Sequence, residues 1–294
     1  MLLNSGWRVL RVIGSRRISI QNLAKELGTS LSWTSEIISQ LEAEDFVVKH
    51  RGRTHYVSCA TTSHAVSLQS LITEVPGLDY GKYMHGKRIK FAWTLLYEPK
   101  TVPEAASVAG VHVQAAYGFL RELRSRGLLV KKENTYVLNR KLLLWEFLDK
   151  YRNYSKLPVR VLWKLADEML VQTREEIEGV AGGFGAFPKL GVMMYGIHYD
   201  YYVPKRVLST EEIAVQSLVQ LDDARLLALA VTFILKHRLT YKRLEKYAVK
   251  YDCRGRLKDI FTVIASRERR IETERLPAIT RSELDETLKM YDVK

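Results

Sequence analysis

The 294-residue sequence predicts a mainly α fold with small β elements: two helix–helix–hairpin domains in tandem, then an α+β, helix-rich C-terminal domain. Three observations predict it. Apolar residues recur at helical spacing through 7–41, break at a Gly-containing turn, and run into two short β-prone stretches. The same pattern returns about 80 residues later, through 89–138. Beyond residue 140 helical stretches mix with Gly-rich and Tyr-rich segments. The expected divisions are a first unit at 1–60, a helical connector at 61–85, a second unit at 86–140 and a C-terminal domain at 141–294.

Composition narrows the class. Hydrophobic residues make up 47% and charged residues 27%, which is ordinary globular usage and excludes a disordered or fibrous chain. A chain this long can bury a core without staples. Its two cysteines, Cys59 and Cys253, lie far apart and form no C-x-x-C, which argues against a zinc ribbon or a disulfide scaffold. The longest apolar stretch, 226–235, is too short to span a membrane and reads as a buried helix. The first residues have no signal-like apolar core. A soluble cytoplasmic protein without membrane contact is expected. The formal net charge of +13 favours a polyanionic partner. Residues 1–140 hold 19 Lys/Arg against 11 Asp/Glu, and 141–294 hold 27 against 22, so the basic surplus per residue is greater in the first half.

In the first unit, Trp7, Leu10, Val12 and Ile13 begin a helix that ends at Gly14-Ser15. Ile20, Leu23, Ala24 and Leu27 recur at i, i+3, i+4 and i+7, a two-turn helix stopped by Gly28. Ser30 caps a second helix, whose buried face is Thr34, Ile37, Ile38 and Leu41. Strands at 46–48 and 55–57 flank the basic tip Lys49-His50-Arg51-Gly52-Arg53-Thr54. Helices joined through a Gly turn and followed by a β-hairpin make a winged helix-turn-helix. In that geometry the second helix points at base edges of duplex DNA. Its outward candidates are Leu31, Ser32, Trp33, Ser35, Glu36 and Ser39, with Ser30 at the cap. Serine hydroxyls suit bases or phosphates, and Glu36 suits a cytosine amine. Trp33 has two readings, a base contact or packing on the wing. Arg51 and Arg53 at the wing tip suit phosphates whatever the base.

The second unit opens with Ile89, Phe91, Ala92, Leu95 and Leu96. A helix from Val102-Pro103 follows, with Pro in its first turn, then Gly110-Val111 and His112 at the next cap. Ala116, Phe119, Leu120 and Leu123 face inward, and strands at 128–132 and 136–138 turn at Glu133-Asn134. Outward candidates are Val113, Gln114, Tyr117, Gly118, Arg121 and Arg124, joined by Lys131 and Lys132 on the wing. Gln114 has the donor–acceptor pair for adenine.

Both segments, LAKELGTSLSWTSEIISQLEAEDFVVKHRGRTHYV and VPEAASVAGVHVQAAYGFLRELRSRGLLVKKENTYVL, resemble the MarR/ArsR-type winged-helix regulators of prokaryotes. The resemblance implies duplex DNA binding and transcription regulation. Winged helices also bind proteins, and the second copy, with Gly118 and a shorter wing, is the more suited of the two to that role.

In the C-terminal domain, Leu142, Leu144, Trp145 and Leu148, then Val161, Leu162, Leu165 and Met169, read as helices. The Gly-rich segment 178–191 is neither a P-loop, since no Lys-Ser/Thr follows, nor a dinucleotide fingerprint, since no βαβ unit surrounds it. Gly182-Gly183 with Asp200 is similar to the G-G…D-x-D arrangement of nucleotidyltransferase-like domains. The positions two away, however, are His198 and Tyr202, and one carboxylate cannot clamp a metal pair. Asp222-Asp223 read as the N-terminal charges of a helix. Tyr195, Tyr199, Tyr201 and Tyr202 are either a binding surface or strand core. Helices are expected at 221–236, 241–250 and 257–266, with a short one from Arg281. The segments VAGGFGAFPKLGV, YDYYVPKRV and DARLLALAVTFILKHRLTYKRLEKYAVKYD resemble AbiE-type antitoxins. That resemblance implies a C-terminal domain that neutralises a nucleotidyltransferase toxin, although two winged helices stand where that family usually has one. No histidine pair has metal-ligand spacing and no G-x-S-x-G elbow occurs. The sequence thus predicts a non-enzyme without metal or cofactor, with duplex DNA as partner, a toxin-like protein as the alternative partner, and a homodimer as one possible assembly.

Overall fold

The computed structural model describes residues 2–194 and 198–293, and its fold is mainly α with small antiparallel sheets. The chain divides into two compact units, Met1–Tyr154 and Ser155–Lys294.

The first unit begins with α1 (Asn4–Ile13), β1 (Ile18–Ser19), α2 (Ile20–Leu27) and α3 (Leu31–Ala43). The hairpin β2 (Val47–His50) and β3 (Tyr56–Cys59) follows, in sheet order β1-β3-β2. Next come α4 (Ser63–Glu74), α5 (Tyr80–Tyr83), α6 (Lys87–Thr94), α7 (Val102–Ala109) and α8 (Val113–Ser125). The hairpin β4 (Leu129–Lys132) and β5 (Thr135–Leu138) and helix α9 (Leu143–Arg152) complete it.

Two copies of one arrangement are present, and the second follows the first at a constant interval of 82 residues. Ser19 caps α2 as Thr101 caps α7, the latter in a reciprocal capping box with Glu104. Gly28 and Gly110 both end their helices in the left-handed region, at φ 65° and 64°, where a side chain would be strained. Ser30 caps α3 and His112 caps α8 through its ring nitrogen, and each of these helices is 13 residues long. The short strand β1 has its counterpart in a single bridge, Lys100 to Tyr136. Sequence periodicity does not show β1, because two residues are too few to display an alternation. The copies differ at the hairpin, where 51–55 separates β2 from β3 and only Glu133-Asn134 separates β4 from β5.

The copies are joined by α9, which packs along α4. Tyr151 lies at the centre of this seam. Its ring is 5.0 Å from Phe46, 5.7 Å from His64, 5.1 Å from Trp93 and 5.7 Å from Phe147. Its hydroxyl accepts from the Leu2 amide at 3.1 Å and donates to Glu44. Tyr154 likewise donates to Asp45. Trp93 Nε1 donates to the Leu148 carbonyl at 3.2 Å, and the buried Arg152 donates to the Trp93 carbonyl at 3.2 Å. These interactions correct the expected boundary at residue 140. A helix whose apolar face is covered by both copies belongs with them, and the division falls after Tyr154.

The second unit contains the four-stranded sheet β6-β7-β9-β8, built from β6 (Arg160–Leu165), β7 (Glu168–Thr173), β8 (Val180–Ala181) and β9 (Tyr199–Val203). Helices α10 (Thr210–Ser217), α11 (Ala224–Lys236), α12 (Tyr241–Lys250) and α13 (Arg254–Ala265) follow. A two-residue ladder of β10 (Arg270–Ile271) with β11 (Ile279–Thr280) and a final helix α14 (Arg281–Met290) end the unit. The helix expected through Val161, Leu162, Leu165 and Met169 is instead the β6–β7 hairpin. It turns at Ala166-Asp167, with Ala166 at φ 55° and Leu165 opposite Glu168. Trp163 and Leu165 alternate with less buried neighbours, and that period-two pattern prevails over the helical spacing. Among the described residues no helix is long and apolar enough to cross a membrane.

Phe147 is fully buried in the shared seam. Phe147→Ala is expected to cost about 3–5 kcal/mol of unfolding free energy in urea. Because both copies pack on α9, residues 1–154 should lose stability as one unit. Loss confined to one copy would contradict a shared core.

Candidate nucleic-acid interface

The outward face of α8 is set by helical geometry. Ala116, Leu120 and Leu123 are buried, so Gln114, Tyr117, Arg121 and Arg124 turn away from the core at i, i+3, i+7 and i+10. All four are exposed, and Tyr117 keeps 51% of its surface open. Lys131 and Lys132 are exposed on β4, the strand that leads out of α8. Among the described residues, Arg121, Arg124, Lys131 and Lys132 make no ion pair. Arg126 is differently placed, stacked 3.7 Å over the Tyr83 ring and donating to its hydroxyl.

The same face of α3 carries Ser32, Ser35, Ser39 and Glu42. Ser32, Glu36 and Ser39 are exposed, and Trp33 and Ser35 are half-buried. Several of these groups have internal work. Ser30 Oγ accepts from the Trp33 amide at 3.2 Å. Ser39 Oγ donates to the Ser35 carbonyl at 2.8 Å and accepts from Lys49 Nζ at 2.8 Å. Lys49 also pairs with Glu42 at 3.0 Å, tying β2 to α3. Ser39 is therefore part of a helix–hairpin tie as well as a surface group. The sequence places Lys49 in the basic hairpin tip; the structure puts it on β2, turned to Ser39 and Glu42, which lie one turn apart on the side of α3 that meets the hairpin. Trp33 makes no ring contact with the wing among the described residues. Arg51 and Arg53 are exposed in the 51–55 loop, and no ion pair holds either among the described residues.

Equivalent positions in the copies thus differ in charge. Residues 113–132 carry five Lys/Arg and one Glu, a net +4, while 31–50 carry one Lys and four acids, a net −3. Where the first copy has the tie Ser39, Glu42 and Lys49, the second has Arg121, Arg124 and Lys131, three cations with no acid among them.

In the second unit the Gly-rich segment does not form the phosphate cradle that its composition suggests. Gly183–Ala186 is one 3₁₀ turn, and its amides are already used. Gly182 donates to the Asp200 carbonyl at 2.9 Å and Gly183 to Gln216 Oε1 at 3.0 Å. The amides of Phe184 and Gly185 bond the Asp200 carboxylate, which also accepts from Gln172 at 3.3 Å and from Gln220. Four donors fill the acceptor sites of one carboxylate. Burial nonetheless pushes its pKa above the ordinary aspartate range, with these bonds opposing. Asp200 is thus the anchor of the Gly-rich turn. His198 and Tyr199 are exposed, and no group of three metal-ligating side chains occurs among the described residues. Asp223 caps α11 through the Leu226 amide at 2.7 Å. The tyrosines alternate: Tyr199 is outside, Tyr201 half-buried, Tyr202 inside, and Tyr195 lies outside the described residues.

A charged cluster joins sheet to helices. Glu212 is engaged by Arg206 through both guanidinium nitrogens and by the Tyr251 hydroxyl at 2.6 Å. Lys250 pairs with Glu168 at 2.7 Å and with Glu212 at 3.4 Å, and Tyr202 donates to Glu168 at 2.5 Å. Burial disfavours the Glu212 carboxylate, but the bonds from Arg206 and Tyr251 outweigh it and hold its pKa below the usual value.

Compared with known protein families, curated proteins and solved structures, the chain matches none.

Since Glu212 has a lowered folded pKa, its contribution to stability is present above the ordinary glutamate value of 4.5 and is lost as pH falls through the folded value. Thermal melts are expected to show the second unit weakening in acid. Glu212→Gln should flatten that dependence and cost about 3–5 kcal/mol at neutral pH, because it breaks a buried pair. An unchanged acid dependence in the variant would exclude Glu212 as its source.

Proposed function

We propose that the chain is a duplex-DNA-binding transcriptional regulator built on tandem winged helix-turn-helix domains, with residues 155–293 serving assembly or effector binding. The observation that carries this reading is the outward face of α8 and its hairpin, where Arg121, Arg124, Lys131 and Lys132 have no acidic partner among the described residues. Exposed cations that no internal acid neutralises are matched by phosphates. Gln114 and Tyr117 on the same face supply what phosphate contacts lack: an amide able to pair with a base edge, and an aromatic ring for a thymine methyl. A 13-residue helix is about 20 Å long, a length the major groove accepts end-on or along its floor. In the first copy, Arg51 and Arg53 sit at a hairpin tip that suits the phosphate backbone, and Ser32 and Ser35 suit either base or phosphate.

Counterion release gives the test. Log K for duplex should fall with log salt by ~0.9 for each phosphate neutralised. Combined alanine substitution of Arg121, Arg124, Lys131 and Lys132 is expected to flatten that slope by about three to four units, and of Arg51 and Arg53 by about one to two. Anisotropy titrations of a labelled duplex across a salt series measure this. Slopes unaltered in both variants would refute the reading.

A further inference from the structure

We propose that the second copy alone seats its helix in the duplex, with Gly118 at the point of closest approach, and that the first copy touches DNA only through its hairpin tip. This rests on the DNA-binding reading above and assigns the two copies different parts within it.

Two independent observations carry it. The first is the charge on equivalent positions. Arg121, Arg124 and Lys131 stand where the first copy has Ser39, Glu42 and Lys49. In the first copy those three groups bond one another, at 2.8 and 3.0 Å. In the second they repel one another unless a polyanion lies across them. Lys49, the lysine on β2 that could have met a phosphate beside α3, is held at home, whereas its counterpart Lys131 makes no ion pair among the described residues.

The second observation is a glycine that the fold does not require. Gly118 lies inside α8 with ordinary helical φ, and a β-carbon built there meets nothing within 4 Å. Neither backbone strain nor crowding explains it, and glycine is among the poorest residues for a helix interior. Its place explains it. Gly118 lies on the exposed side between Gln114 and Tyr117 on one turn and Arg121 on the next. Absence of a side chain there lets the helix backbone approach a surface that the flanking side chains straddle. The equivalent residue on α3 is Glu36, exposed, whose carboxylate would project toward the phosphates of any duplex that tried to seat there.

The test uses the full chain and the duplex recovered from it by selection out of a random pool. Gly118→Ala should raise Tm by about 2–4 °C, because alanine favours the helix, yet weaken duplex binding about tenfold. Gly118→Glu, which copies the first repeat, should weaken it at least a hundredfold while the chain stays folded. Hydroxyl-radical footprinting should protect the backbone flanking one major-groove segment and, beside it, a short separate stretch of backbone whose protection disappears in the Arg51→Ala, Arg53→Ala variant. Unchanged affinity in both Gly118 variants, or two equal groove segments one turn apart, would overturn the proposal. A wild-type chain that selects no duplex would remove the DNA-binding reading itself, a result distinct from either.

Discussion

The pairing of the two copies in the first unit depends on the seat of one side chain, Tyr151. Its ring meets Phe46 just ahead of the first hairpin, His64 from α4, Trp93 from α6 and Phe147 from its own helix. Four elements that are far apart in sequence thereby share one apolar centre, and a buried hydroxyl would be costly there without partners. The Leu2 amide and the Glu44 carboxylate meet that hydroxyl. Glu44 ends α3, so the position of that helix is tied directly to α9 and through α9 to the second copy. Tyr154, three residues after Tyr151, repeats the connection with Asp45. The seam thus ties the end of α3 to α9 and, through Trp93, to α6 of the second copy.

The seam also accounts for where the acids of the first copy are spent. Glu44 and Asp45 receive the hydroxyls of Tyr151 on α9 and of Tyr154 just beyond it, and Glu42 holds Lys49. Acids at the end of α3 are therefore structural, and they leave that side of the molecule poor in positive charge. At the corresponding end of α8 one acid, Glu122, pairs with Arg88 of α6, and Arg124 and Arg126 occupy the places of Glu42 and Glu44. One of those arginines stacks on Tyr83 and the other stays open to solvent.

Helices were legible in the sequence wherever local chemistry specifies them. Ser30 and His112 announce caps, Pro103 a first turn, Gly28 a stop and Gly110 a turn, and the apolar intervals between them are helical. Two regions were not legible, for physical reasons. Residues 160–173 carry apolar side chains at spacings that fit a helix and a hairpin alike, and pairing with β9 decides between them. The membership of α9 is a matter of long-range packing, which no local pattern encodes. In the candidate site, the identity of the outward residues could be read from periodicity, but not which of them are already engaged. Ser39 and Arg121 look equally available in sequence; the structure gives the first a lysine and leaves the second facing solvent. The Gly-rich segment is the same lesson in reverse, since its amides look available until Asp200 and Gln216 are seen to take them.

The constant interval between the copies has a further consequence. A symmetric dimer must present the same helix twice, so any change to one half is imposed on the other. Here both halves lie in one polypeptide, and each can be altered alone. Their association is intramolecular, governed by an effective concentration that the connecting helices set and that dilution does not reduce. A pair of related helices held in one polypeptide is therefore present in every copy of the chain, and nothing obliges its two members to stay alike.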